Sequence, residues 1–315
     1  MNPFAPLYRH CNTGTNEAKR DFLPEFPRLI DVEVTNACNF RCLMCPTGNH
    51  AMTRASGFME ARTMHALVEQ CPPYTGIRFI GWGEPTLHPM FADYIGYAGG
   101  AKLLTHVNTN GSNPDAIEDA ITGGLDSLKF SFQGVDRASY AEMRNTDYFD
   151  GLLLAVHSAD DVRQTFGELR PFIHVSTTTT YETPEQIEAF RAMFEPIADM
   201  VTVGKTIFSH MDMNAVRLRP DEMARLERLR VFEPELSHPV PCPEVNDKLT
   251  VQWDGSVRVC CNDFDGQTNL GNVNDTPLHE IWRHKVIEDY RGRLAQGEYS
   301  GPLCGQCWDY QGLSA

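Results

Sequence analysis

The stretch TNACNFRCLMCPTG, Thr35 to Gly48, decides how this sequence is read. It holds Cys38, Cys42 and Cys45, with three residues in the first gap and two in the second. The β-rich run LIDVEVT leads straight into it, so the thiols fall in the loop at the C-terminal end of a first strand. That end of a βα barrel is where active sites sit. A structural zinc would need a fourth side chain close by. Asn36, Asn39 and Asn49 are poor ligands, which leaves His50 as the one local candidate. Without it, three thiolates leave a metal position open.

Outward from this loop, β-rich runs alternate with helical patterns from Leu29 to about Lys205, as in an α/β fold with a parallel sheet. Six strands are expected: LIDVEVT, IRFIG, LLTHVNTN, SLKFSF, FIHVSTTTT and MVTVGKT. Helices are expected at MEARTMHALVEQ, PDAIEDAITG, YFDGLLLAVHSADDVRQTF and PEQIEAFRAMF, with Asn113 and Thr183 as N-caps ahead of first-turn prolines. After RPDEMARLERLR comes a proline-rich stretch, and a boundary is placed near Pro234 to Pro241. Beyond it KLTVQW and SVRVC flank Asp254-Gly255, a hairpin signal, and PLHEIWRHKVIEDYRGRLAQG reads as one amphipathic helix. The expected units are an N-terminal arm (1–28), a barrel-like domain (29–233) and a small C-terminal domain (234–315).

Composition narrows the function. The 315 residues are 42% hydrophobic, enough for a well-filled core, and no apolar run approaches a membrane span. The N-terminal sequence lacks the charged-then-apolar order of a signal peptide, so a cytoplasmic location is expected. Ten cysteines without an export signal point to ligation or catalysis before disulfides. A formal charge of −15 argues against nucleic acid and favours a cationic partner, unless it serves solubility alone.

The C-x3-C-x2-C spacing resembles the signature of radical S-adenosylmethionine (SAM) enzymes. That resemblance implies a [4Fe–4S] cluster on Cys38, Cys42 and Cys45 whose free iron takes the amino and carboxylate groups of SAM, and reductive cleavage to a 5′-deoxyadenosyl radical. FIGWGEP at the second strand end resembles the family's GGE motif, with Trp82 replacing the first glycine and Gly83 and Glu84 retained. By the same resemblance Asn108 and Asn110 in VNTNGS line the SAM site. Ser131 in KFSFQG and Arg144 in SYAEMR are candidates for its carboxylate, and Phe40 lies beside the adenine. The fold implied is a partial (β/α)6 TIM-like barrel, SAM lying across its strand ends and the C-terminal unit closing a lower or side opening.

Downstream, Cys242, Gly255 and Cys260 followed by CGQC, Cys304 and Cys307, resemble the SPASM/twitch extensions of these enzymes, a hairpin and helix holding an auxiliary cluster. LGNV and EIW fit the same pattern, and a zinc ribbon is the structural alternative. A full SPASM pattern needs three more cysteines and eight residues follow Cys307, so a twitch domain with one auxiliary [4Fe–4S] cluster is expected. Three cysteines remain. Cys71 reads as packing, Cys11 lies in the arm, and Cys261 follows a ligand at a hairpin edge; the opposite assignment within the Cys260-Cys261 doublet stays open.

The whole constellation resembles twitch radical SAM enzymes that tailor aminoglycosides. It implies an epimerase acting on a carbinol carbon of a polar, cationic aminosugar or aminocyclitol. Cys261 would return the hydrogen, since S–H is weaker than C–H, and the auxiliary cluster would help restore the thiyl. The runner-up is a dehydrogenase producing a ketone, with Asp263 or His210 as base. A peptide-modifying enzyme is a third reading, disfavoured because 37 residues precede Cys38; a non-enzymatic zinc or iron–sulfur protein would make the SAM motifs coincidental. The partners implied are a small-molecule substrate and an electron donor such as flavodoxin or ferredoxin, with neither nucleic acid nor membrane.

Overall fold

A computed structural model of the chain describes residues 23–166, 170–208, 211–237, 242, 244–307 and 309–310. Cys11 and His210 lie outside them. Six strands run parallel in chain order: β1 (Leu29–Val32), β2 (Gly76–Phe79), β3 (Leu104–Thr109), β4 (Ser127–Ser131), β5 (Phe172–Thr179) and β6 (Met200–Lys205). Helices fill the intervals, as in a partial TIM-like barrel. Asn113 and Thr183 cap as expected, the Asn113 side chain accepting from Ala116 N and Thr183 from Gln186 N. Helices Phe91–Gly100 and Arg137–Arg144 complete the series.

The sheet has two chemically different faces because side chains alternate along each strand. Ile30, Val32, Ile77, Phe79, Val107, Leu128, Phe130, Ile173 and Val175 face the helices and form the core. The alternate positions carry polar groups into the lumen. The register sets Asp31, Arg78, His106 and Ser127 side by side, then Asn108, Lys129 and His174, then Ser131, Ser176 and Thr202.

Most of the C-terminal strands join the barrel sheet instead of building one of their own. β8 (Lys248–Val251) pairs in parallel with β1, β9 (Ser256–Arg258) folds back on β8, and β10 (Gly271–Asn272) on β9, so one nine-stranded sheet runs β10-β9-β8-β1-β2-β3-β4-β5-β6. The hairpin turn falls at Asp254-Gly255, with Gly255 at φ 84°, a left-handed conformation that suits glycine. A short pair, β7 (Leu236–Ser237) with β11 (Asp309–Tyr310), ties the chain after the barrel to the C-terminal end.

The expected single C-terminal helix is a correction: it is split into Leu278–Ile281 and Lys285–Ala295. At the break Trp282 is fully buried, its indole donating to Pro24 O (2.9 Å) with the Arg291 guanidinium over its ring. His284 turns extended and its ring accepts from Val286 N, starting the second helix. No helix among the described residues is long and apolar enough to cross a membrane.

Candidate active site at the strand ends

A cavity of about 550 Å³ opens at the C-terminal ends of the strands. Cys38, Cys42 and Cys45 line it together with Trp82, Gly83, Glu84, Asn108, Asn110, Ser131 and Arg144. The fold thus brings nearly all the sequence-predicted SAM residues to one place. Phe40 is buried next to the site, edge-on to Tyr148 at 5.7 Å.

Close backbone contact fixes the cysteine loop. A Cβ on Gly48 would collide with the Cys42 backbone, and one on Gly83 with the carbonyls of Thr35 and Ala37. Glu84 N donates to Ala37 O at 2.9 Å, and Thr47 Oγ1 to Trp82 O at 2.6 Å, so the loops after β1 and β2 interlock.

Burial pushes the Cys38 thiol up to about 12, and burial with the neighbouring Cys42 raises Cys45. Such thiols ionise when a cationic metal centre takes them. Around one zinc, sulfurs would lie about 3.8 Å apart at a Zn–S length of ~2.3 Å. Among the described residues only Glu244, Cys260 and Cys261 bring three ligand atoms mutually within 4.8 Å, so neither expected ligand set converges on a single ion. His50, the local candidate for a fourth zinc ligand, contacts Arg41 and lines a different cavity, so the three thiols without a fourth side chain fit a [4Fe–4S] cluster with one iron open.

The remaining polar groups divide into bound and available. Glu84 is 2% exposed and is consumed by the protein: Oε1 accepts from Thr86 N, Thr86 Oγ1 and Thr109 Oγ1, and Oε2 from Asn110 N. Burial raises its pKa despite these bonds. Its chief structural work is to hold the Thr109–Asn110 strand end against the cluster loop. Asn110 Nδ2 donates to Asn39 Oδ1 (3.0 Å).

Arg144 closes its helix, stopped by Asn145 at φ 57°. It donates to the Ser131 carbonyl and stands 3.6 Å from Cys42 Sγ. Its buried Nε has no hydrogen-bond partner among the described residues, which leaves a guanidinium donor available for a carboxylate. Asn108 Oδ1 lies 2.6 Å from His106 Nε2, and Asn108 lines the cavity.

The auxiliary-cluster region meets this site directly. Trp82 bridges the two: its indole N–H donates to Cys261 O at 2.9 Å and its ring packs edge-on against Phe264 at 5.7 Å. Arg54, beyond the cysteine loop, pairs with Glu33 at 2.6 Å and donates to Phe264 O, while Thr53 donates to Asp265. Asn262 lines the cavity; Cys261 does not.

The two thiols of the doublet lie together, Cys260 Sγ, Cys261 Sγ and a Glu244 carboxylate oxygen falling mutually within 4.8 Å. The bond to Cys261 and burial raise the Cys260 pKa, with Glu244 and Cys242 adding to it, and Asn262 Nδ2 reaches toward Cys307 Sγ. The bond with Cys260 lowers the Cys261 pKa against burial, Lys248 helping and Glu244 and Asp31 opposing, and its Sγ lies 3.9 Å from Glu244 Oε2. Lys248 bonds Glu244 at 2.5 Å and approaches Asp31 at 3.5 Å, and Asp31 grips Arg78 at 2.7 and 2.8 Å. Asp31 and Lys248 are lumen-facing, so Cys261 borders the inner face.

Asp263 does not suit the role of a free base. Oδ1 accepts from Gln267 N, and Oδ2 from Thr268 N and Oγ1, closing their own loop. Cys71 packs against the core as expected, its thiol donating to Leu67 O.

Sequence reasoning missed Lys129. It points into the lumen one pleat below Ser131, between Asn108 and His174. Burial, with Arg78 nearby, lowers its pKa to about 8, and it forms no ion pair among the described residues. The alternation in SLKFSF, which puts Lys129 in phase with Ser131, is the signal that could have found it.

The family model of the radical SAM superfamily matches residues 32–190, and that of an iron-sulfur cluster-binding domain, SPASM, matches 242–308. The tungsten-containing aldehyde ferredoxin oxidoreductase cofactor-modifying protein of Pyrococcus furiosus is 22% identical over 320 residues, covering 89% of this chain and 87% of its own. The AdoMet-dependent heme synthase of Nitratidesulfovibrio vulgaris is 24% identical over 319 residues, covering 89% and 84%. Among solved structures, BtrN in complex with AdoMet and 2-DOIA superposes with TM-score 0.58 at 15% identity over 92% of this chain and 96% of that one. Streptococcus suis SuiB bound to precursor peptide SuiA gives 0.64 at 14% over 94% and 72%. These structures share the fold.

Proposed function

The chain belongs to the radical SAM superfamily, with a SPASM domain, a SAM-binding [4Fe–4S] cluster and an auxiliary iron–sulfur cluster, and from that membership we propose an epimerase acting on a carbinol carbon of a polar small molecule of the aminosugar or aminocyclitol kind. When bound, the cluster and SAM supply a 5′-deoxyadenosyl radical able to take hydrogen from that carbon. Cys261 would then return a hydrogen atom to the opposite face, and the thiyl left behind would take one electron from the auxiliary cluster and one proton from solvent before the next turnover.

The observation that supports this reading is the place of Cys261, which adjoins the expected ligand Cys260 and whose thiol stands 3.9 Å from Glu244, the carboxylate that bonds the lumen-facing Lys248 at 2.5 Å. Trp82 anchors the Cys261 backbone beside the SAM residues. The test is reaction in D₂O, where one deuterium at the inverted carbon is expected because a thiol exchanges with solvent between turnovers. Cys261→Ala should keep both clusters and 5′-deoxyadenosine formation while yielding no epimer. Undiminished epimerisation in that variant would remove Cys261 from the reaction.

Lys129 favours a second reading, a dehydrogenase. A lysine partly neutral near pH 8, with no ion-pair partner among the described residues, would take the alcohol proton while the substrate radical passes its electron to the auxiliary cluster. A product two mass units lighter than substrate, lost in Lys129→Met, would move the protein to this class.

A further inference from the structure

The outer side of the cysteine loop carries a second cavity, of about 400 Å³, lined by Arg41, Gly48, His50, Asn145, Arg217, Arg219 and Glu222. Arg41 directly precedes Cys42, and Gly48 packs on the Cys42 backbone, so one loop separates this cavity from the active site. Three arginines converge here on a chain whose formal charge is −15.

The arginines are fixed in place. Arg41 Nη1 lies 3.2 Å from His50 Nε2. Arg217 N donates to Asn49 O at 2.8 Å, and its guanidinium donates to the carbonyls of Asn214 and Val216. Arg219 is 69% exposed, bonds Glu222 at 2.9 Å and lies 3.6 Å from the exposed Asp221. Glu222 is the one carboxylate in the lining, and Arg219 N, the Arg219 guanidinium and Asn145 Nδ2 all donate to it. Among the described residues neither Arg41 nor Arg217 has a carboxylate partner. The pocket therefore keeps an excess of positive charge one loop away from the SAM-binding cysteines.

We propose that this basic pocket is the docking site for a small acidic one-electron carrier protein that reduces the SAM-binding cluster. SAM cleavage in this superfamily consumes an electron, and two acidic proteins repel except where a patch of opposite charge steers their encounter. The pocket places that patch across a single loop from the thiolates. The proposal rests on family membership and is independent of whether the product is an epimer or a ketone.

The test uses the anaerobic holoenzyme with flavodoxin as probe, comparing wild type with Arg217→Glu and Arg219→Glu. Affinity is read by titration calorimetry at stepped NaCl, and 5′-deoxyadenosine formation is measured with photoreduced flavodoxin and separately with dithionite. Wild-type affinity should fall with salt. Each charge reversal should weaken binding by roughly tenfold or more and slow the flavodoxin-driven reaction while sparing the dithionite-driven one. Unchanged flavodoxin affinity would overturn the proposal. So would an equal loss with dithionite, which would make the pocket a support for the cluster loop, or binding of inorganic pyrophosphate abolished by Arg217→Glu while flavodoxin binding persists.

Discussion

Replacing Glu84 by Ala probes the junction between the cluster loop and the strand ends. Its carboxylate is the acceptor for two buried backbone N–H groups, Thr86 N at 3.2 Å and Asn110 N at 2.7 Å, and for the hydroxyls of Thr86 and Thr109. Hydroxyls can rotate to new partners, but the two N–H groups cannot. An orphaned buried donor costs about 1–3 kcal/mol, so the pair costs about 2–6. At roughly 2.1 cal/mol/K per residue, a mid-range loss of about 4 kcal/mol lowers the Tm of a 315-residue chain by about 6 °C. SAM affinity should fall in parallel, because Asn110 and the loop it meets through Asn39 lose their anchor. Glu84→Gln keeps one acceptor oxygen and should lose less than Ala on both measures. Calorimetric unfolding and SAM titration of anaerobic protein give the two readouts. Weakened SAM binding at an unchanged Tm would refute this reasoning and make the carboxylate a direct SAM ligand.

Three further outcomes are expected. Replacing Cys38, Cys42 and Cys45 together by Ala should halve the iron and abolish 5′-deoxyadenosine formation; an iron assay with chromatography checks both. Arg54→Met removes the partner of Glu33, whose side chain is 2% exposed, and should cost about 3–5 kcal/mol. Burial already raises the Glu33 pKa, so the protonated form is the one the fold tolerates unpaired, and the loss read by denaturant titration should shrink as pH falls. Lys129→Met should raise Tm at neutral pH. Burial lowers the Lys129 pKa to about 8, so the penalty for its ammonium is fully present below pH 8 and fades as pH rises toward the ordinary lysine value; a gain independent of pH would contradict this.

What the sequence disclosed was local. Thiol spacing, the caps at Asn113 and Thr183, and the turn at Asp254-Gly255 each act within a few residues, and each corresponds to an observed feature. What it hid was set by partners far along the chain. KLTVQW announces a strand without announcing that β1 is its neighbour. GWGEP offers an acidic residue without showing that Thr86, Thr109 and Asn110 saturate it. Asp263 reads as a free acid until Gln267 and Thr268 are seen to claim both oxygens. The continuous helical pattern after Pro277 conceals a break fixed by Pro24, over 250 residues earlier.

The parallel pairing of β8 with β1 bears on how the chain is made. Leu29 meets Lys248 and Val32 meets Val251, so the first strand to leave the ribosome gains its outer neighbour only after more than 200 further residues have been synthesised. Until then β1 is a bare sheet edge of four fully buried residues, an invitation to pair with another nascent chain. Cutting the chain at the proline-rich stretch would make that exposure permanent. The C-terminal segment thus acts as the covering strand without which the barrel half is an aggregation-prone fragment, whatever it contributes to the chemistry.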